Sequence, residues 1–415
     1  MNALRRCALI VSLLFLPLLA VAQAHWVATW TASPEPAEPA PNRPILNLQD
    51  QTVRERVRIS VGGSQIRIRL SNEFGSSPLI VGSVTVGVPN DAASVVRGSI
   101  RTVTFGGNTS IAIPPGAPAL SDAVAFSAAY GSEISISLYF PKRILTPTWH
   151  ALALKRATVS PKGDYSHELE IQGGTESSSS ILLSAVLVPA QPSHRLIVAF
   201  GDSVIDGDGS TPDADRNWPS DLIRRLGKTP KNSKWAVVNE GIAGNRLLDD
   251  GPIASLGKSA LARFDRDALS VPGVTHIVLL EGINDLSFPG AKLDEMSLAD
   301  PGDLRTAEDL IGAYHQLIAR AHARGIKVIG STLTPCEGVA IPGYYSDAKD
   351  AIRRAVNQWI KNSRAFDGVI DFDAVLRDPD HSSRLLPRFA SEDHLHPNDA
   401  GYQAMADAID LALFQ

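Results

Sequence analysis

The chain has 415 residues, of which 44% are hydrophobic and 20% charged, and a formal charge of −5. A mildly acidic chain of average hydrophobicity argues against nucleic acid as a partner and for an ordinary soluble enzyme or binding protein. Of its two cysteines, Cys7 lies in the amino-terminal segment and only Cys336 lies beyond it. No internal disulfide is therefore available to the mature protein, and its stability has to come from packed cores.

Residues 1–24 read as a secretory signal. Arg5 and Arg6 make a charged start, Cys7 to Val21 is almost wholly apolar, and Ala22-Gln23-Ala24 fits a small-x-small cleavage site. The alternative is a membrane anchor, but the apolar run is short for a full span and is interrupted by Ser12 and Pro17. Cys7 lies at the start of that run, the wrong place for a lipid-modified cysteine. The expectation is a secreted protein, periplasmic or extracellular, without a stable membrane anchor. Removing Arg5 and Arg6 takes the formal charge from −5 to −7. About 390 residues then remain, more than one core usually serves, which predicts two domains.

Residues 25–190 read as strands and turns. Trp26 to Thr31 is a candidate first strand, and the proline-rich stretch from Pro34 to Pro44 cannot be helical. Val53 to Ile59 and Gln65 to Leu70 each alternate apolar residues with arginines. The Gly62-Gly63 pair between them predicts a hairpin with one buried face. Ser83 to Val88, Arg101 to Phe105 and Ile134 to Phe140 have the same character. The whole is expected to be an antiparallel β-sandwich-like domain. Arg54, Arg56, Arg58, Arg67 and Arg69 are either a basic face for an anionic or sugar ligand or a solvated outer face; with no aromatic residue interleaved, the solvated face is the expectation. Ser177 to Ser180 reads as a loop, and Pro189 to Ser193 as a hinge.

From residue 194 to 415 the pattern changes to α/β. Leu196 to Phe200 is an unbroken apolar run of strand length, as expected of a strand buried on both faces of a parallel sheet. Further short strands are predicted at Val237 to Asn239, His276 to Leu280, Lys327 to Leu333 and Val369 to Asp371. Helical periodicity runs over Pro219 to Leu226, Ala307 to Arg324, Asp347 to Asn362 and Ala400 to Leu413. Five strands with intervening helices predict a parallel sheet covered on both sides, a flavodoxin-like three-layer fold. Functional loops then gather at the carboxyl ends of the strands. Gly201-Asp202-Ser203 ends the first strand, so Ser203 is a candidate nucleophile; the plainer reading of this tripeptide is a turn followed by a helix cap.

Three further segments bear on that choice. Asn239-Glu240-Gly241-Ile242-Ala243-Gly244-Asn245-Arg246 follows the second strand, Glu281-Gly282-Ile283-Asn284-Asp285 the third, and Ser391-Glu392-Asp393-His394-Leu395-His396-Pro397 precedes the last helix. With Gly201-Asp202-Ser203 they resemble, in order, the motifs of the SGNH or GDSL family of serine acylhydrolases: GDS, a loop glycine, G-x-N-D and D-x-x-H. The resemblance covers the carboxyl-terminal half and implies an SGNH three-layer domain that hydrolyses esters. Val204 stands where the eponymous motif has leucine, a mild departure that bears on the shape of the nucleophile turn. The G-x-S-x-G elbow of the other common serine-hydrolase scaffold is absent, since Ile205 occupies the second small position.

By this resemblance Ser203 is the nucleophile, His396 its base and Asp393 the carboxylate that orients the imidazole. The oxyanion donors are the backbone N–H groups of Ser203 and Gly244 and the side-chain amide of Asn284. His394 competes with His396; in an extended segment the two point to opposite sides, and the D-x-x-H spacing selects His396. Asp393, His394 and His396 as metal ligands are the alternative, but no cluster elsewhere completes such a site, so no metal and no organic cofactor is expected. Asp202 and Asp285 read as loop-ordering residues and Cys336 as inertly buried. Arg246 and Trp218 are candidates for lining the substrate pocket, or else packing residues.

The resulting expectation is a secreted serine esterase that removes short acyl groups, such as acetyl, from a carbohydrate or similar ester. Its partner is a small-molecule or polysaccharide ester, in a xylan-esterase-like branch of the family. A lipase or lysophospholipase acting on longer acyl chains is the rival within the enzyme class. An inert glycan-binding protein is the rival outside it.

Overall fold

The computed structural model describes residues 25–38, 47–144, 147–229 and 233–415. The segment expected to be a signal lies outside these residues, as does the later part of the proline-rich stretch. Among the described residues no helix is long and apolar enough to cross a membrane.

Five parallel strands form the sheet of the carboxyl-terminal half: Trp235–Gly241, Arg195–Gly201, Val274–Leu280, Lys327–Ser331 and Gly368–Ile370, in that spatial order. The first strand in sequence thus lies between the second and third, so chain connections leave it in opposite directions. Such a reversal marks the place, outside the strands' carboxyl ends, where open α/β sheets bind their ligands. Leu196 through Phe200 are each fully buried, as the unbroken apolar run requires. Helices Trp218–Gly227 and Asp399–Ala408 pack on each other, the former also on the Trp235–Gly241 strand, while Ala307–His322 packs on Asp347–Asn362 and on the Lys327–Ser331 strand.

The run from Ala400 to Leu413 is not one helix. It stops at Ala408 because Ile409 takes extended dihedrals, and Asp410 then caps a separate turn by accepting from the Ala412 N–H at 2.9 Å. An aspartate there offers the backbone a local alternative to continuing the helix.

Among the described residues before this half lie two larger antiparallel sheets, a small three-stranded one, and the two-stranded pair of Leu79–Val81 with Ile111–Ile113. The five-stranded sheet pairs Trp26–Thr31, Leu183–Pro189, Gly63–Asn72 and Val124–Ala128 in that order, with Ala117–Leu120 also on Gly63–Asn72. The six-stranded sheet is built around Gln51–Arg58 and Glu133–Phe140, and the small one holds Ser180–Ile181, Thr148–His150 and Glu35–Pro36. The expected hairpin across Gly62-Gly63 does not form. Gln51–Arg58 pairs with Glu133–Phe140 and Ala157–Lys162, and Gly63–Asn72 with strands of the other sheet. Period-2 patterning identifies each strand's buried face but carries no information about its neighbour. The segment from Ser177 to Ser180, expected as a loop, contributes the ends of two short strands.

The arginines are not a solvated face. Arg54 is fully buried: Nε donates to Ser137 Oγ at 2.9 Å, Nη1 to the Ala93 carbonyl at 2.6 Å and Nη2 to the Glu168 carbonyl at 2.7 Å. Arg58 reaches across to Asp215 at 2.7 Å, and Arg56 to Asp213 at 3.4 Å, both on the loop before Trp218. The β-rich region is therefore fastened to the α/β region by ion pairs. One connected cluster of buried apolar side chains also runs through both.

Candidate active site

The strand Arg195–Gly201 ends where a side chain has no room: a Cβ on Gly201 would lie 1.8 Å from the Leu280 carbonyl oxygen. The chain then turns into a single helical turn, Ser203–Asp206, capped by Asp202, whose carboxylate accepts from the Val204 N–H at 2.9 Å. Ser203 thereby opens a helix, where backbone N–H groups lack intrahelical partners.

Its hydroxyl lies 2.8 Å from His396 Nε2, and His396 Nδ1 lies 2.6 Å from Asp393 Oδ2. Asp393 and His396 occupy one turn ahead of the Asp399–Ala408 helix. Asp393 Oδ1 accepts from the Ser391 hydroxyl at 2.6 Å and from the backbone N–H groups of Leu395 and His396 at 2.8 and 2.9 Å. This local network holds the carboxylate still while its other oxygen orients the ring. The segment is not extended, since His394 takes a left-handed φ of 57°; of the two histidines it is His396 that meets Ser203.

Burial opposes the charged form of His396, but the hydrogen bond to Asp393 and the carboxylates of Asp208 and Asp202 outweigh it and raise its pKa above the ordinary 6.5. Asp208 Oδ2 lies 3.9 Å from Nε2. Asp393 is held well below the usual carboxylate range, because its bond and charge interaction with His396 overcome its partial burial.

Gly244 has φ 77°, and a Cβ there would lie 2.8 Å from Leu256 Cδ2, so this loop conformation needs glycine. Two ties hold the loop to the rest of the site. The preceding Ala243 N–H donates to Asp206 Oδ2 at 3.1 Å, and the Asn245 carbonyl accepts from Asn284 Nδ2 at 2.8 Å. Asn284 Oδ1 in turn accepts from the Tyr344 hydroxyl at 2.9 Å. A primary amide has two N–H groups, and this arrangement commits one of them. The segments that the resemblance singled out thus converge on one locus. A hydroxyl in contact with an imidazole that a carboxylate orients is an arrangement that can activate an oxygen nucleophile.

Asp285 accepts from the Leu247 and Leu248 N–H groups at 2.6 and 2.8 Å, a loop-ordering role. Cys336 is buried, which pushes its thiol up to about 11. The two candidate pocket residues need correction. Trp218 is fully buried beneath its helix, its ring centroid 5.8 Å from that of Phe372, so it packs the core and lines no pocket. Arg246 is buried, and its guanidinium turns to Asp249 at 2.9 Å, within an ion-pair network that includes Arg305. Among the described residues no group of three or more His, Cys, Asp or Glu side chains could hold a metal ion.

Sequence reasoning missed Tyr344, Asp206 and Asp208. Asp206 and Asp208 left no signal, and Tyr344 left none.

Residues 199–404 match the GDSL-like Lipase/Acylhydrolase family. No curated protein matches the chain. Among solved structures, a carbohydrate acetylesterase family member from Sinorhizobium meliloti is 17% identical, with 52% of this chain and 94% of that one covered and a TM-score of 0.39. A mutant acetyl-xylooligosaccharide esterase from Geobacillus Stearmophilus is 19% identical, with 52% and 91% covered and a TM-score of 0.38. An aryl esterase from M. smegmatis is 15% identical, with 52% and 95% covered and a TM-score of 0.38.

Proposed function

We propose, for a chain that belongs to the GDSL-like lipase/acylhydrolase family through residues 199–404, that it is a secreted serine esterase releasing short acyl groups from a carbohydrate or similar ester. The observation that carries this reading is the pair of contacts on His396, 2.8 Å to Ser203 Oγ and 2.6 Å to Asp393. In this reading residues 25–190 form a β-sandwich-like accessory domain and residues 194–415 the hydrolase domain, and the segment before residue 25 is a signal removed on export.

The mechanism in this reading uses those contacts. Neutral His396 takes the Ser203 proton on Nε2 as Oγ attacks the ester carbonyl carbon, and Asp393 stabilises the resulting imidazolium. The carbonyl oxygen becomes an oxyanion, with the N–H groups of Ser203 and Gly244 and the second amide N–H of Asn284 as its donors. Collapse breaks the bond to the alcohol, which leaves with the proton from His396. Water then attacks the acyl-enzyme by the same route, releasing the acid and restoring Ser203. The step needs neither a metal nor an organic cofactor.

Initial rates over p-nitrophenyl esters from acetate to palmitate, for wild type and Ser203→Ala, test the reading. It predicts a maximum at acetate or another short chain, and loss of turnover in the variant. A maximum at long chains would favour a lipase or lysophospholipase, and an inactive wild type would favour the glycan-binding protein.

A further inference from the structure

His150 belongs to the small sheet of the β-rich region, yet its ring reaches the turn that carries Ser203. Nε2 lies 3.1 Å from Asp206 Oδ1, and Nδ1 lies 3.2 Å from the Ser33 carbonyl oxygen. Both partners are acceptors, so each ring nitrogen has to carry a proton for both bonds to form, and the ring is then an imidazolium. His150, Asp206 and Glu35 are all buried, so water does not screen these charges. Asp206 uses its second oxygen for the Ala243 N–H, one residue before Gly244. Asp206 is also the last residue of the Ser203 helix.

A second set of bonds runs in parallel. The Ser33 hydroxyl donates to Glu240 Oε2 at 2.6 Å, while Arg263 donates to the carbonyls of Glu240 and Gly201 at 2.9 and 2.8 Å. Residues of the β-rich region are therefore hydrogen-bonded to the turn that carries the proposed oxyanion donor Ser203 and to the strand that leads into the loop of the other, Gly244.

We infer that His150 is a positioning residue for the Ser203 site: as an imidazolium it fixes Asp206, and Asp206 fixes the spacing between the Ser203 turn and the Gly244 loop. On this inference, which rests on the esterase reading, the α/β half does not carry a complete site by itself; the β-rich region supplies its support. The groups facing the ring are Asp206, Glu35 and Glu55, with Asp208 facing Asp206 and Arg263 facing Glu35. Burial opposes the imidazolium, but the carboxylates of Asp206 and Glu35 outweigh it and raise the His150 pKa to about 9. Loss of the Nε2 proton turns a lone pair toward the Asp206 carboxylate and opens the clamp.

The test uses full-length wild type, His150→Gln, Asp206→Asn and the double variant, with p-nitrophenyl acetate as substrate and circular dichroism to establish folding. Displacement of an oxyanion donor loop by an ångström or less lowers kcat by about 10- to 100-fold. KM stays within about twofold, because the loss falls on the transition state. The double variant is expected to be no worse than the poorer single one. Wild-type kcat falls again as pH rises through about 9, and this alkaline fall is absent from His150→Gln. A folded His150→Gln with wild-type kcat, losses that multiply in the double variant, or an unchanged alkaline profile overturns the inference. If His150→Gln does not fold, a folded Asp206→Asn with wild-type kcat, or a wild-type kcat flat through pH 9, overturns it equally. An inactive wild type would instead refute the esterase reading itself.

Discussion

The Tyr344 hydroxyl donates to Oδ1 of Asn284 at 2.9 Å, in the amide orientation that the Asn245 carbonyl, able only to accept, imposes on the other end. With Nδ2 turned to the Asn245 carbonyl at 2.8 Å, the amide is pinned from two sides. Tyr344 is itself buried, edge-on to Phe288 at 6.2 Å between ring centroids.

A graded loss follows for substitutions at this pair. Asn284→Ala removes the donor, which typically costs about 100- to 1,000-fold in kcat. Tyr344→Phe keeps the donor but frees the amide to rotate, and is expected to lower kcat by about tenfold with little change in KM. Steady-state kinetics on p-nitrophenyl acetate checks both. An Asn284→Ala variant as active as wild type would remove the amide from the site.

The charge environment of His396 makes a pH prediction. The ring must be neutral to accept the Ser203 proton, and Asp393, Asp208 and Asp202 raise its pKa above 6.5 despite burial. The rise of kcat/KM with pH therefore has its midpoint above 6.5, and Asp208→Asn moves that midpoint down. A profile flat from pH 5 to 9, or a midpoint that Asp208→Asn moves upward, would contradict this.

Stability carries its own pH dependence. Burial pushes the carboxyl groups of Glu35 and Glu55 up to about 7 and that of Asp285 up to about 6, and carboxylate partners raise His150 to about 9 against the effect of burial. A raised pKa means that the folded chain binds more protons than the unfolded one. The stabilisation from these groups is complete below their unfolded values and is lost as pH rises through the folded ones. The thermal midpoint should therefore fall by several degrees between pH 6 and 9, given that about 1 kcal/mol moves a domain of 150 to 250 residues by about 2–4 °C. Calorimetry showing a flat or rising midpoint over that range would refute it.

Much of the α/β half was legible because its signals are local. The Leu196 to Phe200 run is a buried central strand, and Asp347–Asn362 is a helix with the expected bounds. What escaped the sequence depends on distant partners. Two similarly patterned strands, Gln51–Arg58 and Gly63–Asn72, enter different sheets, and Arg54 is buried because remote loop carbonyls surround it. Trp218, a candidate for the pocket or for packing, is turned into the core by its helix. The contact of His150 with Asp206 spans 56 residues and leaves no periodicity or motif to read.

The central claim is that Ser203 Oγ, with His396 beside it, is the atom that becomes acylated. Labelling with a fluorophosphonate followed by peptide mass analysis reads this directly. The account predicts an adduct on the peptide carrying Ser203 in wild type, no adduct in Ser203→Ala, and much slower labelling in His396→Gln. An unlabelled wild type, or an adduct on another residue, would contradict it.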